Sequence, residues 1–461
     1  MTLIKSISGI RGIIGGVPGF NLTPADVVKF SAAYGTWLKG QSGSDTPSVV
    51  IGRDARVSGQ MIDQLVTGTL IGLGFDIVHL GLSSTPAVEM AVTRNRANGG
   101  IIITASHNPV EWNALKLLNQ EGEFVSASDG EEILSIAESE RFTFADVKSI
   151  GNITFQDDAD QYHIDQIIQL EHINIERIKQ VNFFVAVDGI NSVGGLVVPK
   201  LLKQLGVERI FELNCTPDGN FNHNPEPIPE NLTDVSSFVV EKQADIGIVV
   251  DPDVDRLAII CEDGSMFGEE YTLVAVADYV LKKTPGNTVS NLSSTQALKD
   301  ITSKYGKDYH ASAVGEVNIV EKMKETKAVI GGEGNGGVIF PELHYGRDAL
   351  VAIALFLSHL AESGITCSEL RKRYPHYHMI KNKVELKDGT DFAEILNQIK
   401  MEYKNDNMNE EDGLRIDGKE GWIHLRKSNT EPLIRIIAES NTRSVAEKYI
   451  SRITSIIQSS G

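Results

Sequence analysis

Gly99-Gly100-Ile101-Ile102-Ile103-Thr104-Ala105-Ser106-His107-Asn108-Pro109 is the stretch whose reading decides the fold. Ile101 to Ile103 form a short unbroken apolar run between glycines and a turn, the pattern of a strand buried on both faces of a parallel sheet. Asn108-Pro109 stops it, because the residue before proline is pushed out of the α region. Ser106 then stands just past a strand's C-terminal end, where open α/β sheets bind ligands. For a lone serine a turn-capping role is the ordinary reading, so the rest of the chain must decide.

Outward from this strand the same alternation recurs. On the N-terminal side the pattern predicts helices over 23–40, 58–74 and 86–95 and strands over 49–52 and 75–80. Thr23-Pro24 supplies an N-cap with proline in the first turn. Residues 9–16 read as a glycine loop that presents Arg11; no strand precedes it and its spacing is wrong for a dinucleotide fingerprint. On the C-terminal side strands fall at 181–187, 209–213, 244–250 and 257–261, with a helix over 194–205 and a proline-rich loop over 214–233. A third set follows: helices over 269–282, 295–305, 316–325 and 347–361, with strands at 288–292, 309–314 and 327–331. Residues 364–382 read as a linker. Beyond it, strands at 384–386, 421–426 and 433–439, helices over 391–403 and 442–458, and a loop over 404–412 make a small α+β unit. The expected fold class is therefore α/β: three consecutive similar α/β domains with mixed or parallel sheets, then a C-terminal α+β domain. The expected boundaries are 1–155, 156–256, 257–370 and 371–461.

A chain of 461 residues exceeds a single ordinary core, which agrees with several domains. No apolar run approaches the roughly 18 residues of a membrane span, and Met1 to Ser6 carry no signal-peptide core. Cys215, Cys261 and Cys367 are odd in number and far apart, which disfavours a disulfide framework or a zinc site and points to a reducing, cytoplasmic setting. A net charge of −19 repels nucleic acid and anionic lipid, so neither is an expected partner. An anionic substrate would need a local cluster of Arg and Lys.

Two more stretches supply such chemistry. Asp251, Asp253 and Asp255 alternate, and in an extended segment their carboxylates share one side. Three carboxylates together call for a cation, and hard oxygen ligands beside a phosphate select Mg²⁺. An EF-hand is excluded, since Arg256 holds the position that needs glycine and strands flank the loop; a solvated acidic turn remains the other reading. Residues 426–435, Arg-Lys-Ser-Asn-Thr-Glu-Pro-Leu-Ile-Arg, put three cations and two hydroxyls into one short stretch, either a phosphate cradle or an ordinary charged hairpin. Glu333 and Asn335 are the functional side chains of the glycine run 331–337 and suit sugar hydroxyls. Lys116 lies close enough in sequence to fold back on Ser106 and would serve as acid or base if its pKa were lowered. A serine hydrolase is the rival reading, but no Gly-x-Ser-x-Gly elbow is present, and His107, as the next side chain in an extended segment, points away from Ser106.

Taken in order, these four loops resemble the α-D-phosphohexomutase family over nearly the whole chain. Thr104 to Pro109 matches its phosphoserine loop, Asp251 to Arg256 its metal loop, Gly332 to Gly337 its sugar loop and Arg426 to Arg435 its phosphate loop. The resemblance implies four domains around a central cleft, each supplying one loop. It implies Ser106, Lys116, Arg11 and His107 as catalytic residues, and Ser106, Asp251, Asp253 and Asp255 as metal ligands. Glu333, Asn335, Arg256, Arg426, Ser428, Asn429, Thr430 and Arg435 would bind substrate. The implied reaction is phosphoryl transfer between the 6- and 1-positions of a hexose phosphate, with Mg²⁺ and a hexose 1,6-bisphosphate intermediate or activator, in a monomer or homodimer. The phosphate loop is closer to that of members acting on glucosamine phosphate than to those acting on mannose phosphate, with glucose and mannose phosphates as alternatives. A Mg²⁺-dependent phosphatase and an inactive sugar-phosphate binder are more distant alternatives. Many members carry serine and histidine in the sugar loop where this chain has Asn335 and Gly337, so the histidine proposed there for proton transfer is missing.

Overall fold

The strand containing Ile101 to Ile103 is β5 (Gly99–Ile103), fully buried at the centre of a seven-stranded sheet. The computed structural model describes residues 2–6, 9–41, 47–385, 392–427 and 433–459. The other strands of this sheet are β1 (Ile4–Ser6), β2 (Gly9–Ile13), β3 (Ser48–Arg53), β4 (Asp76–Leu82), β6 (Trp112–Leu118) and β7 (Ile153–Phe155), in the order β1-β2-β6-β5-β3-β4-β7. β5, β3, β4 and β7 run parallel, as helical crossovers require. β6 instead returns antiparallel on β5, and β2 and β1 extend that edge antiparallel. The segment expected as a glycine loop around Arg11 is thus mostly strand, with Arg11 opposite Ala114. Its partner lies about a hundred residues away, and local spacing cannot reveal a pairing of that separation.

The second sheet is ordered β11-β10-β8-β9, built from β8 (Phe184–Asp188), β9 (Arg209–Leu213), β10 (Ile246–Val250) and β11 (Leu257–Cys261). β11 pairs antiparallel with β10 across the Asp251–Arg256 turn, so the boundary expected after Arg256 falls inside this sheet. The third sheet is ordered β13-β12-β14-β15, from β12 (Thr288–Asn291), β13 (Tyr309–Ser312), β14 (Ile330–Glu333) and β15 (Gly337–Ile339). The glycine run 331–337 is here two short strands and the turn of a hairpin, with Glu333 opposite Gly337. The C-terminal sheet is antiparallel throughout and ordered β16-β20-β19-β18-β17. Its strands are β16 (His378–Glu385), β17 (Asn407–Asn409), β18 (Leu414–Asp417), β19 (Gly421–Lys427) and β20 (Leu433–Ser440).

Two expected irregular segments are structured. Residues 364–382 contain the helix Cys367–Arg371, started by a Thr366–Glu369 capping box, and the beginning of β16. Residues 404–412 contain β17. The first and C-terminal units each have their own core, whereas one apolar cluster runs through the second and third. The helix Ala349–Ser363 carries that shared core, buried from Ala349 to Ala361. It is tied to the Asp251–Arg256 turn of the second sheet, where the Ala349 N–H donates to the Val254 carbonyl (3.1 Å), and the strand after that turn meets the β14–β15 hairpin of the third sheet directly, the Leu257 N–H donating to the Gly336 carbonyl (3.0 Å).

Candidate active site

Ser106 follows β5 by three residues and is held there by an arginine that sequence reasoning passed over. Arg56 is 1% exposed, and its guanidinium donates to four carbonyls of the serine loop: Ser106 and Asn108 (both 2.6 Å), Pro109 (2.7 Å) and Trp112 (2.9 Å). Its Nε reaches Asp54 at 3.1 Å. Asp54 also accepts from the Thr104 hydroxyl (2.7 Å), which in turn accepts from the Ser106 N–H (2.9 Å). Both Asp54 and Arg56 come from the turn after β3, the parallel neighbour of β5. The available signal was their place at a strand's C-terminal end, in Arg53-Asp54-Ala55-Arg56.

This clamp holds Ser106 in the left-handed region at φ 48°, an uncommon conformation for a residue other than glycine. The bend has two consequences. Ser106 Oγ donates to Asp251 Oδ2 at 2.7 Å. His107, expected to point away, brings its Nδ1 to 3.3 Å from Ser106 Oγ, because the backbone there is not extended. Burial, then the positive Arg256, push the His107 pKa well below the ordinary imidazole value.

Asp251, Asp253 and Asp255 are all fully buried, with one oxygen from each within 4.8 Å of the others. They meet through a tight turn rather than through extended alternation. Val254 sits at φ 63°, and the Asp255 and Arg256 N–H groups fold back on Asp251 Oδ1 at 3.1 Å each. Burial and the like charges of Asp255 and Asp253 raise the Asp251 pKa far above the carboxylate range. Thr85, from the first unit, donates to Asp253 Oδ2 at 2.6 Å. Asp253 Oδ1 and Asp255 Oδ1 are buried and have no hydrogen-bond partner among the described residues. Buried carboxylate oxygens of this kind are costly unless something positive meets them. Together with Asp251 and the Ser106 hydroxyl they form an all-oxygen set that fits a hard divalent cation such as Mg²⁺.

Lys116 is brought to the same place by β6, where it stands opposite Ile102. Its ammonium lies 2.6 Å from Asp253 and 3.1 Å from Asp255. Burial alone would lower its pKa, but the two aspartates outweigh that and hold it above the ordinary lysine value, opposite to what a free base needs. Arg256 approaches Asp255 at 3.9 Å. Arg11 has a lowered pKa, first from burial and then from the charges of Arg256 and Arg435, so these three cations share one field. The Nε atoms of Arg11 and Arg256 are buried without a hydrogen-bond partner among the described residues, as donors facing an anion site would be.

Glu333 ends β14 and accepts from Asn291 (3.0 Å), Asn335 (3.2 Å) and Arg347 (2.7 Å). Arg347 had been expected inside a helix. Asp348 instead caps that helix by accepting from the Leu350 and Val351 N–H groups, which leaves Arg347 outside it. Arg426 and Arg435 face one another across β19 and β20. Arg426 is oriented by Asp412 at 2.7 Å, and Asp412 also accepts from the Val314 N–H of the third unit at 2.9 Å. Ser428, Asn429 and Thr430 lie outside the described residues. Among the described residues, no helix is long and apolar enough to cross a membrane.

Comparison with known proteins covers the same four units. Residues 4–144, 161–264 and 268–377 match the phosphoglucomutase/phosphomannomutase alpha/beta/alpha domains I, II and III, and residues 379–456 the C-terminal domain. A phosphoglucomutase/phosphomannomutase of Thermococcus kodakarensis is 35% identical over 96% of this chain and 95% of its own. A phosphoglucosamine/phosphogalactosamine mutase of Sulfurisphaera tokodaii is 32% identical over 98% of both chains. Among solved structures, a phosphoglucomutase/phosphomannomutase family protein of Burkholderia thailandensis superposes with a TM-score of 0.83 at 26% identity, covering 99% of this chain and 98% of its own. An Aspergillus fumigatus N-acetylphosphoglucosamine mutase, described in complex with GlcNAc-6P and magnesium, shares the fold at TM-score 0.55 and 14% identity, with 91% and 84% coverage.

Proposed function

As a member of the phosphoglucomutase/phosphomannomutase (α-D-phosphohexomutase) family the chain is a phosphohexomutase, and we propose that it interconverts glucosamine 6-phosphate and glucosamine 1-phosphate through Ser106. The observation that carries the site assignment is the Ser106 hydroxyl, 2.7 Å from Asp251 in a buried three-aspartate turn and bordered by the cations of Lys116, Arg256 and Arg11.

Phosphorylated Ser106 gives its phosphoryl group to the free hydroxyl of a hexose phosphate. The serine Oγ–P bond breaks as the sugar O–P bond forms, and the sugar hydroxyl loses its proton. The proton lost by the sugar hydroxyl balances the one gained by the departing Ser106 oxygen, and His107, beside that oxygen, can take its proton when Ser106 attacks in the return step; Lys116, paired with two aspartates, cannot act as base in this arrangement. The resulting 1,6-bisphosphate turns over and returns its other phosphate to Ser106. Arg11 and Arg256 meet the phosphate at the reacting end, and Arg426 and Arg435, with Ser428, Asn429 and Thr430 of the same loop, grip the distal one. Glu333 and Asn335 hold sugar hydroxyls. Asp251, Asp253 and Asp255 with Ser106 would hold Mg²⁺, which when bound neutralises charge on the transferring phosphoryl oxygens. Localisation in the cytoplasm accords with the cysteine usage.

The glucosamine assignment draws on the phosphate-loop sequence and on the S. tokodaii relative. The T. kodakarensis relative favours a second reading, glucose or mannose phosphate. Parallel assays with the three 6-phosphates, each primed with its 1,6-bisphosphate, decide between them. Glucosamine should show the highest kcat/KM; preference for another sugar overturns the assignment. Release of inorganic phosphate in place of isomerised product would overturn the mutase mechanism assigned to these residues.

A further inference from the structure

We propose that Arg347 is a positioning residue that couples the metal turn to the sugar loop, occupying space that a side chain at position 337 would need. Its guanidinium uses each nitrogen on a different carboxylate. Nη2 donates to Asp255 Oδ2 (2.7 Å), Nη1 to Glu333 Oε2 (2.7 Å) and Nε to Glu316 Oε2 (3.0 Å), while its backbone N–H donates to Glu316 Oε1 (2.9 Å). One rigid planar fork therefore fixes the distance between a carboxylate of the cation site and the carboxylate proposed to hold the sugar.

The departure at Gly337 fits this arrangement. A Cβ built on Gly337 would lie 2.5 Å from Arg347 Cδ, closer than any side-chain carbon tolerates. The sugar loop gives up a side chain at 337, and the arginine stem fills that space from the other side. The surrounding backbone keeps the pieces in register through the Leu257–Gly336 and Ala349–Val254 hydrogen bonds. Asp348 anchors the next residue by capping the helix Ala349–Ser363 with one oxygen and holding His163 (2.7 Å) and His344 (3.2 Å) with the other.

A permanently charged arginine on Asp255 opposes a metal cation that draws on the same carboxylate, while it holds Glu333 in place. Arg347 thus trades cation affinity for grip on the sugar. This inference rests on the proposed roles of Asp255 and Glu333.

The test measures the rise in Tm of the full-length protein on titration with MgCl₂, and steady-state KM for the best hexose 6-phosphate. The proteins are wild type, Arg347→Met and Arg347→Lys. Arg347→Met should reach half-saturation at about tenfold lower Mg²⁺ and raise KM about tenfold or more, as loss of charge-assisted hydrogen bonds does, with kcat less affected. Arg347→Lys should restore the wild-type Mg²⁺ midpoint but not KM, because lysine keeps the charge and loses the fork. Gly337→Ala should raise KM in wild type and have no further effect in Arg347→Ala, which has neither Cγ nor Cδ to meet the new Cβ. An Arg347→Met protein with wild-type midpoint and wild-type KM overturns the coupling, as does one whose KM and kcat fall together with the midpoint unmoved. If Arg347→Met does not fold, Arg347→Lys carries the test, and a wild-type KM there overturns the proposal. Absence of any Mg²⁺-dependent rise in wild type would instead overturn the cation role of the three aspartates.

Discussion

The two ends of the proposed substrate path are built differently. At the Ser106 end the working side chains are buried and fixed several times over. Ser106 is held by Arg56 and Thr104, the aspartates by backbone N–H groups and by Thr85, and Glu333 by Asn291 and Arg347. At the 426–435 end Arg435 is exposed, Arg426 is half-buried with one carboxylate partner, and both stand on the strands of an antiparallel hairpin. The contrast follows from the chemistry proposed for each. A reacting phosphoryl group demands dry, preorganised charge, whereas a phosphate that is only held, and held in two orientations, is served by cations on a wet surface that tolerate small shifts. Perturbing the first end should therefore cost far more than perturbing the second.

The largest effect should come from Ser106→Ala, which removes the proposed phosphoryl carrier. Turnover should fall by at least about three powers of ten, roughly 4 kcal/mol at 1.36 kcal/mol per decade, with Tm little changed. Intact-mass measurement should find one phosphate on active wild type and none on the variant; full wild-type activity without phosphate would break the scheme. Arg56→Met should come next. It strips four carbonyls and Asp54 of their donor, and loss of one partner of a buried ion pair costs about 3–5 kcal/mol. It should lower Tm sharply and, where folded protein remains, abolish activity; a variant with normal Tm and turnover would show that the clamp is dispensable.

Arg435→Lys tests the other end of the comparison. Lost bidentate contacts to phosphate are worth roughly 1.5–3 kcal/mol, so kcat/KM should drop about 10- to 100-fold and dependence on added sugar 1,6-bisphosphate should rise. A loss as deep as that of Ser106→Ala would mean the two ends are equally preorganised, and the contrast drawn here would fail.

The smallest effect concerns pH. His344 bridges Glu89 (3.3 Å) and Asp348 (3.2 Å) between the first and third units. Burial would lower its pKa, but Asp348 and Glu89 override that and raise it to about 10. Burial raises the Glu89 pKa to about 8, against the pull of His344. Both groups bind protons more tightly folded than unfolded, so their contribution is complete at low pH and lost as pH rises through the folded values. Unfolding free energy should decline between pH 7 and 10 by roughly 1–3 kcal/mol, and His344→Gln should flatten that decline. An equal decline in the variant would place the titration elsewhere.

Much of this arrangement was legible without coordinates. The strand before Ser106, the strand before Asp251 and most helices announce themselves through apolar runs and periodicity, which are local properties. Residue type left each of the four loops with an alternative reading, and only their order and spacing together carried the resemblance to a known family. What local pattern could not carry was pairing at a distance: Arg11 on a strand rather than a loop, Lys116 turned onto the aspartates, β11 on the second sheet. It also missed residues that act through backbone, since nothing in Arg53-Asp54-Ala55-Arg56 says that one guanidinium will collect four carbonyls some fifty residues on. The sequence by itself determined which chemical groups exist and near which strand ends they lie, because burial pattern and turn chemistry are written into neighbouring residues. Tertiary structure alone decided which of those groups share a charge, since that depends on where the strands and helices of separate units are packed. Arg347 is the clearest case: one residue past a glycine and unremarkable in sequence, it becomes the joint between two loops only when the helix after it is packed into the core shared by the second and third units.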